Sequence, residues 1–169
     1  NMPHWLGAKR SAAHWAAYTA KEDAVDPALS VQLGMRGHPS GAIHKGGVGG
    51  SSRELGYRVV TMQEFEDLGV ARTVEVIRER VGDAPAYITF DLDCMDPSVA
   101  PGVSNIEPGF SGFTIREATR LLQGLKGLDI IGGDVVCLMP TKDSPNQITA
   151  QMAMVMMFEI TCLIAARRV

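Results

Sequence analysis

Two aspartates at the end of an apolar run are the residues in this chain best suited to chemistry. Tyr87 to Phe90 read as a buried strand, and Asp91 and Asp93 follow it. Because alternate residues of a strand point to the same side, we expect both carboxylates to lie together. Two like charges in an apolar setting are costly to desolvate unless a cation lies between them. The pair therefore predicts a divalent metal site.

A third acid, Asp96, precedes Pro97 and is interpreted as a turn cap, because Asp-Pro sequences favour turns. A solvated strand end without a metal is the alternative interpretation of the whole cluster. Carboxylates alone suit Mg²⁺ or Mn²⁺, and added histidines would extend the choice to Ni²⁺, Zn²⁺ or iron. The four histidines include no pair at helical ligand spacing, so the sequence does not show where such partners would come from.

Three other residues have reactive side chains. His4 lies in a loop and could carry protons, since imidazoles ordinarily titrate near neutrality. An ordinary loop histidine is the alternative. His14 is interpreted as a packing or surface residue of an alanine-rich helix. Cys137, flanked by apolar residues, is interpreted as a small core residue.

Length and composition indicate one domain and exclude several classes of protein. The chain has 169 residues, 46% of them hydrophobic, and a net charge of -3, which gives no basic excess for nucleic acid. Its cysteines lack metal-site or disulfide-framework spacing, so we expect a reducing cytoplasm. The most hydrophobic stretch, 152–166, is short for a membrane span and contains Glu159, which favours a core helix. Because the chain begins at Asn1, we expect it to be part of a longer one.

Strand and helix patterns alternate along the chain. Thr61 and Thr114, each with a glutamate three residues later, predict helix starts. Alternation of this kind predicts an α/β fold with a mainly parallel sheet, whose sites form beyond the carboxyl ends of strands. We therefore expect Asp91 and Asp93, the loop at Arg36 and the segment 137–143 to meet in one crevice. The predicted elements are strands over 30–35, 57–61, 87–90 and 129–138 and helices over 9–22, 70–81, 113–125 and 146–166.

The stretch from Phe90 to Gly102 closely resembles the second metal-ligand motif of the ureohydrolases, the arginase and agmatinase superfamily. The resemblance continues, in order, along most of the chain. It includes Val31 to Gly37, the Glu107-Pro108-Gly109 step of the agmatinase branch, Arg116 to Ala118, and Gly133 to Val136.

This resemblance implies an arginase-like three-layer α/β/α fold, of which the chain would be the carboxyl-terminal portion. It implies two Mn²⁺ ions, with Ni²⁺ as an alternative, sharing a hydroxide that attacks a small guanidino substrate to release urea and an amine. It also implies a homo-oligomer or hetero-oligomer, either a trimer or a hexamer, with no nucleic-acid or membrane partner. Asp91 and Asp93 match metal ligands, and His4 matches the proton shuttle, with His14 as a rival.

The sequence departs from the family in three places. The family's early metal ligands, which include an Asp-Ala-His-x-Asp motif, are absent, so we expect them upstream of Asn1. Asn105 and Glu107 fall in the loop that lines the substrate pocket, but the run from Gly102 to Ile106 differs from the family's. Cys137 stands where most members have a glutamate that grips the guanidinium. We therefore expect a substrate other than arginine or agmatine.

The resulting prediction is a metal-dependent hydrolase that acts on a small guanidino compound. One alternative is a non-catalytic subunit that stabilises an active paralogue, which the altered position at Cys137 favours slightly and the retained aspartates disfavour. Another is a different amidohydrolysis on the same scaffold, with release of ammonia or formamide in place of urea.

Overall fold

The computed structural model describes residues 14–36, 50–106 and 111–167. Helices and strands alternate through these ranges, as the sequence predicts. The helices are α1 (Trp15–Lys21), α2 (Gly50–Glu54), α3 (Met62–Val81), α4 (Ile115–Gly124) and α5 (Ile148–Ala165), and the strands are β1 (Val31–Met35), β2 (Arg58–Thr61), β3 (Ala86–Asp91) and β4 (Ile130–Val136).

The strands of the described residues form two parallel pairs. β1 pairs with β2, and β3 pairs with β4 in a register that sets Asp91 opposite Val136. Parallel strands end on the same side of a sheet, so the residues that follow β3 and β4 emerge side by side. The predicted parallel α/β arrangement is confirmed.

One face of the β3–β4 pair is buried and the other is exposed. α5 packs on the buried face, where Gly133 leaves room for Ile160: a Cβ on this glycine would come within 2.6 Å of the isoleucine side chain. On the exposed face, Asp134 accepts hydrogen bonds from the hydroxyls of Tyr87 (2.9 Å) and Thr89 (2.7 Å). Asp91 is the last residue of this exposed row, so its side chain lies at the carboxyl end of β3, on the exposed face.

Both predicted helix starts are confirmed. The hydroxyl of Thr61 accepts a hydrogen bond from the backbone N–H of Glu64, and Thr114 and Glu117 form a complete capping box. α3 nevertheless begins at Met62, whereas the periodicity predicted 70–81. Gly69, with φ of 68°, kinks the helix and interrupts its apolar pattern, which hides the first two turns from a periodicity argument.

α5 has the length and apolar character of a membrane span, with a mean hydropathy of 1.7 over 18 residues. Glu159 favoured a core helix, and the structure supports this for one face only: 28% of the helix is buried, and Met154, Met157 and Phe158 are exposed. The helix packs against β4 and α4, and Met156 and Ile160 are buried in the main core. Gln123 of α4 also donates a hydrogen bond of 2.9 Å to the Glu159 carboxylate.

Candidate metal centre

The two predicted metal ligands are brought together by a turn. β3 ends at Asp91, and Leu92–Cys94 form a short 3₁₀ helix immediately after it. The Asp91 carboxylate accepts a hydrogen bond of 2.9 Å from the backbone N–H of Asp93, which caps this turn. The expectation that strand alternation aligns the two side chains was therefore wrong for Asp93, because the strand has already ended. The turn nevertheless places both carboxylates in one cluster.

Cys137 completes the cluster from the neighbouring strand. It follows β4 directly, and its backbone lies in the left-handed region with φ of 69°. One oxygen each from Asp91 and Asp93 and the sulfur of Cys137 all lie within 4.8 Å of one another. These three groups form a candidate site for one cation.

The Asp93 carboxylate is held by the loop 102–106. The hydroxyl of Ser104 donates to its two oxygens at 3.2 and 3.5 Å, and the backbone N–H of Asn105 donates at 3.3 Å. Burial and the negative charge of Asp91 raise the pKa of Asp93 above its ordinary value, although these hydrogen bonds oppose the rise. The repulsion between the two ionised carboxylates is therefore relieved by a cation beside them, as at a metal site.

The loop itself is fixed to the segment after β4. Ser104 donates its N–H to the carbonyl of Cys137 at 3.0 Å, and Met139 donates to the carbonyl of Gly102 at 2.8 Å. The Gly102 N–H in turn donates to the buried hydroxyl of Thr149 in α5 at 2.9 Å. Ser104 was not singled out from the sequence, because a serine in a loop carries no signal of a contact with an acid eleven positions earlier.

Arg36 supports the turn from the end of β1. Its guanidinium donates to the carbonyls of Asp93 (2.6 Å) and Met95 (2.9 Å) and to that of Ser111. The sequence predicted that the loop at Arg36 would meet Asp91 and Asp93, and this convergence is confirmed. It did not predict the role of the side chain, which binds main-chain oxygens and so fixes the shape of the turn.

Burial raises the pKa of the Cys137 thiol to about 12, with the Asp91 carboxylate adding to the rise and a hydrogen bond with Ser104 opposing it. The pKa of Cys94, which lies inside the turn, also rises to about 12, chiefly because the thiol is buried.

The remaining predicted residues have separate positions. Asp96 is a turn cap, as predicted: its carboxylate accepts from the N–H of Ser98 at 2.9 Å and from the Ser98 hydroxyl, and these bonds lower its pKa. His14 is fully buried at the start of α1, edge-on to Tyr18 with ring centroids 6.3 Å apart. His4 and Glu107 lie outside the described residues.

Comparison with known proteins gives this arrangement a family. The model of the arginase family matches residues 1–163. The chain belongs to the arginase family. It is 41% identical over 145 residues to guanidinopropionase from Pseudomonas aeruginosa, covering 86% of this chain and 43% of the relative. It is 38% identical to an agmatinase from Neisseria meningitidis serogroup C, covering 89% of this chain and 45% of the relative.

The arginase fold is also found among solved structures. Proclavaminate amidino hydrolase from Streptomyces clavuligerus superposes with a TM-score of 0.84 at 33% identity, over 98% of this chain and 52% of that one. This arginase-family chain thus spans about half the length of the relatives that it matches.

The donors of this arginase-family chain suit a divalent ion but supply part of its coordination sphere and not the whole. Two carboxylates and a thiol supply one side of a coordination sphere, and their close approach is explained if a positive charge joins them. Within the described ranges, no imidazole joins the cluster. A four- to six-coordinate ion therefore needs further ligands besides these three groups.

Proposed function

We propose that the protein is a metal-dependent hydrolase that cleaves a C–N bond of a small guanidino compound, giving urea and an amine. The observation that carries this proposal is the cluster of Asp91, Asp93 and Cys137 at the carboxyl ends of two paired parallel strands in a chain of the arginase family. The names of its relatives, guanidinopropionase and agmatinase, support guanidino compounds as the substrate class.

In this proposal, Asp91 and Asp93 hold divalent ions. Such ions, when bound, supply Lewis acidity and lower the pKa of water toward neutrality. Arg36 fixes the main chain of the turn, and Ser104 and Asn105 orient the Asp93 carboxylate. These contacts orient the metal-binding carboxylates, as hydrogen bonds to metal ligands generally do. Mn²⁺ is our first choice of metal and Ni²⁺ the alternative, with the remaining ligands outside the described residues.

We assign Asn105, Glu107 and Cys137 to the substrate pocket. Asn105 is exposed beside Asp93, and Cys137 lies on the other side of the same cluster. A thiol cannot form the bidentate ion pair that a carboxylate forms with a guanidinium. Binding of an ordinary, unsubstituted guanidinium is therefore weakened, and we propose a guanidino compound that differs from arginine and agmatine in shape or substitution.

For the proton shuttle, we retain His4 and regard His14 as the weaker candidate. A proton carrier must exchange with solvent, and His14 has no exposed surface. The oligomer, which we propose to be a trimer or a hexamer, is open to measurement by light scattering.

The test is a panel of guanidino compounds incubated with the purified protein and Mn²⁺ or Ni²⁺, with urea, ammonia and formamide measured separately. We expect urea from at least one compound, and loss of that activity in Asp93→Asn. The matched control is Asp96→Asn, since Asp96 caps the same turn region without joining the cluster. Ammonia or formamide in place of urea would replace the proposed reaction, and no product from any compound would contradict it.

A further inference from the structure

We propose that Cys137 binds a metal ion directly through its sulfur, which raises the affinity of the proposed Mn²⁺ or Ni²⁺ centre for thiophilic ions such as Zn²⁺ or Co²⁺ relative to Mn²⁺. This inference rests on the proposed function, because it takes the ion site at Asp91 and Asp93 as given. It assigns Cys137 to the ion in addition to the pocket.

The position of the sulfur carries the proposal. β3 and β4 are paired so that Asp91 faces Val136, and Cys137 is the next residue along. A non-glycine residue with φ of 69° is uncommon, and at this point it leaves the side chain close to the carboxylates of β3 and its turn. The sulfur and the two carboxylate oxygens lie within 4.8 Å of one another. Metal–sulfur and metal–oxygen bonds of roughly 2.0–2.3 Å hold the donors on one ion less than about 4.6 Å apart, so only a small approach of these side chains is needed for all three to share an ion.

The surroundings of the thiol also suit a ligand. Ser104 and Asp91 are its polar neighbours, and Ser104 is itself anchored to the carbonyl of Cys137. The hydroxyl of Ser104 is directed to the Asp93 carboxylate, so Ser104 holds Cys137 in place through its backbone hydrogen bond and leaves the sulfur free to face an ion. On binding, the S–H bond breaks, a sulfur–metal bond forms, and the proton passes to the buffer, with no change of oxidation state.

The chemistry of the donor set predicts the selectivity. Carboxylates accept Mg²⁺ and Mn²⁺ readily, whereas thiolates favour softer ions. A thiol is a poor partner for a guanidinium cation compared with a carboxylate, so contact with the substrate gives no comparable reason for sulfur at this position. A sulfur beside two hard oxygens is accounted for if it faces the metal.

The experiment is cobalt substitution of the purified protein, followed by near-ultraviolet absorption. A thiolate bound to Co²⁺ gives a charge-transfer band, and oxygen or nitrogen ligands do not. We expect the band in the unmodified protein and in Cys162→Ser, whose cysteine is exposed on α5, and its loss in Cys137→Ser and Cys137→Ala. We also expect the ratio of Zn²⁺ to Mn²⁺ affinity to fall at least about tenfold in Cys137→Ser.

Two results would overturn the inference while leaving the proposed function in place. One is bound Co²⁺ without a charge-transfer band in the unmodified protein, and the other is a band that persists in Cys137→Ser. Failure of the proposed function would differ: Co²⁺ content would then be the same in Asp93→Asn as in the unmodified protein, whatever the spectrum.

Discussion

The guanidinium of Arg36 donates a hydrogen bond of 2.6 Å to the main-chain oxygen of Asp93, across 57 positions of sequence. This hydrogen bond joins the end of β1 to the turn after β3. In the described residues, β1 and β3 are not paired with each other. A charged donor that binds several carbonyls holds a turn more firmly than a neutral one. The position of the Asp93 carboxylate therefore depends on β1 as well as on its own strand.

Replacing Arg36 by Lys keeps the charge but removes the planar fork of donors. We expect Arg36→Lys to lower the free energy of unfolding by about 2 kcal/mol, since hydrogen bonds to a charged group are lost. Metal affinity should fall as well, because the turn loosens. Urea denaturation and metal titration measure the two effects. Arg72→Lys is the control, because exposed Arg72 pairs, among the described residues, with two carboxylate side chains at 2.7 and 3.2 Å and with no main-chain oxygen of a distant turn. Equal losses in both variants would contradict the assigned role.

Gly112 is required by the same contact. A Cβ on this residue would collide with Nη1 of Arg36 and the N of Asp96, and would lie 2.5 Å from the carbonyl carbon of Met95. We expect Gly112→Ala to cost at least about 3 kcal/mol in unfolding free energy, because backbone atoms cannot yield to a methyl group.

Gly69→Ala separates this clash from backbone strain. Gly69 has φ of 68° and open space around its Cα, so alanine there meets strain alone and should cost about 1 kcal/mol. Similar losses for the two variants in urea denaturation would argue against crowding at Gly112.

Glu64 gives a prediction on pH dependence. The guanidinium of Arg58 donates two hydrogen bonds to the Glu64 carboxylate, one of them 3.1 Å long. These hydrogen bonds lower the pKa of Glu64, although its partial burial acts in the opposite direction. A lowered folded-state pKa contributes stability above the unfolded pKa, and this contribution is lost as the pH falls through the folded value. Glu64→Gln should therefore destabilise the protein at neutral pH, by up to about 1 kcal/mol for a pair whose side chains are about one-third exposed, and make no difference in acid.

Denaturation midpoints measured from neutral pH to below the carboxyl range test this prediction. Glu66→Gln, at an exposed position on the same helix, is the control. A destabilisation by Glu64→Gln that persists unchanged in acid would show that the ion pair is not its cause.

The sequence predicted what depends on neighbouring residues. The caps at Thr61 and Thr114 need only a glutamate three positions later, and both formed as expected. α2, at Gly50–Glu54, was missed because its glycine and serines resemble the loop before it. The early start of α3 was missed because Gly69 breaks the helical period.

The sequence predicted the acidic residues of the candidate site but not the residues that hold them in position. A compact motif indicated Asp91 and Asp93, and the carboxyl-end rule for parallel strands brought Cys137 near them. The contacts of Arg36 and Ser104 with the turn depend on how distant segments pack, and no local pattern encodes that packing. The turn at Leu92–Cys94 likewise replaced the strand geometry expected for Asp93.

Asp93→Asn separates stability from binding. Burial and Asp91 raise the pKa of Asp93 in the folded state, so its ionised carboxylate opposes folding of the ion-free protein. Asparagine can still accept the hydrogen bonds of Ser104 and Asn105. We expect the ion-free variant to be more stable at neutral pH, by less than about 1 kcal/mol. The difference should disappear as the pH falls and Asp93 gains a proton. Lower stability of the ion-free variant at neutral pH would contradict this account.

The most direct test of the central claim is the metal content of the purified protein and of Asp93→Asn, measured by elemental analysis after equilibration with Mn²⁺, Ni²⁺ or Zn²⁺. The account predicts bound divalent ions in the unmodified protein and the loss of one of the two positions in the variant. Unchanged metal content in Asp93→Asn, or no bound ion in either protein, would contradict it.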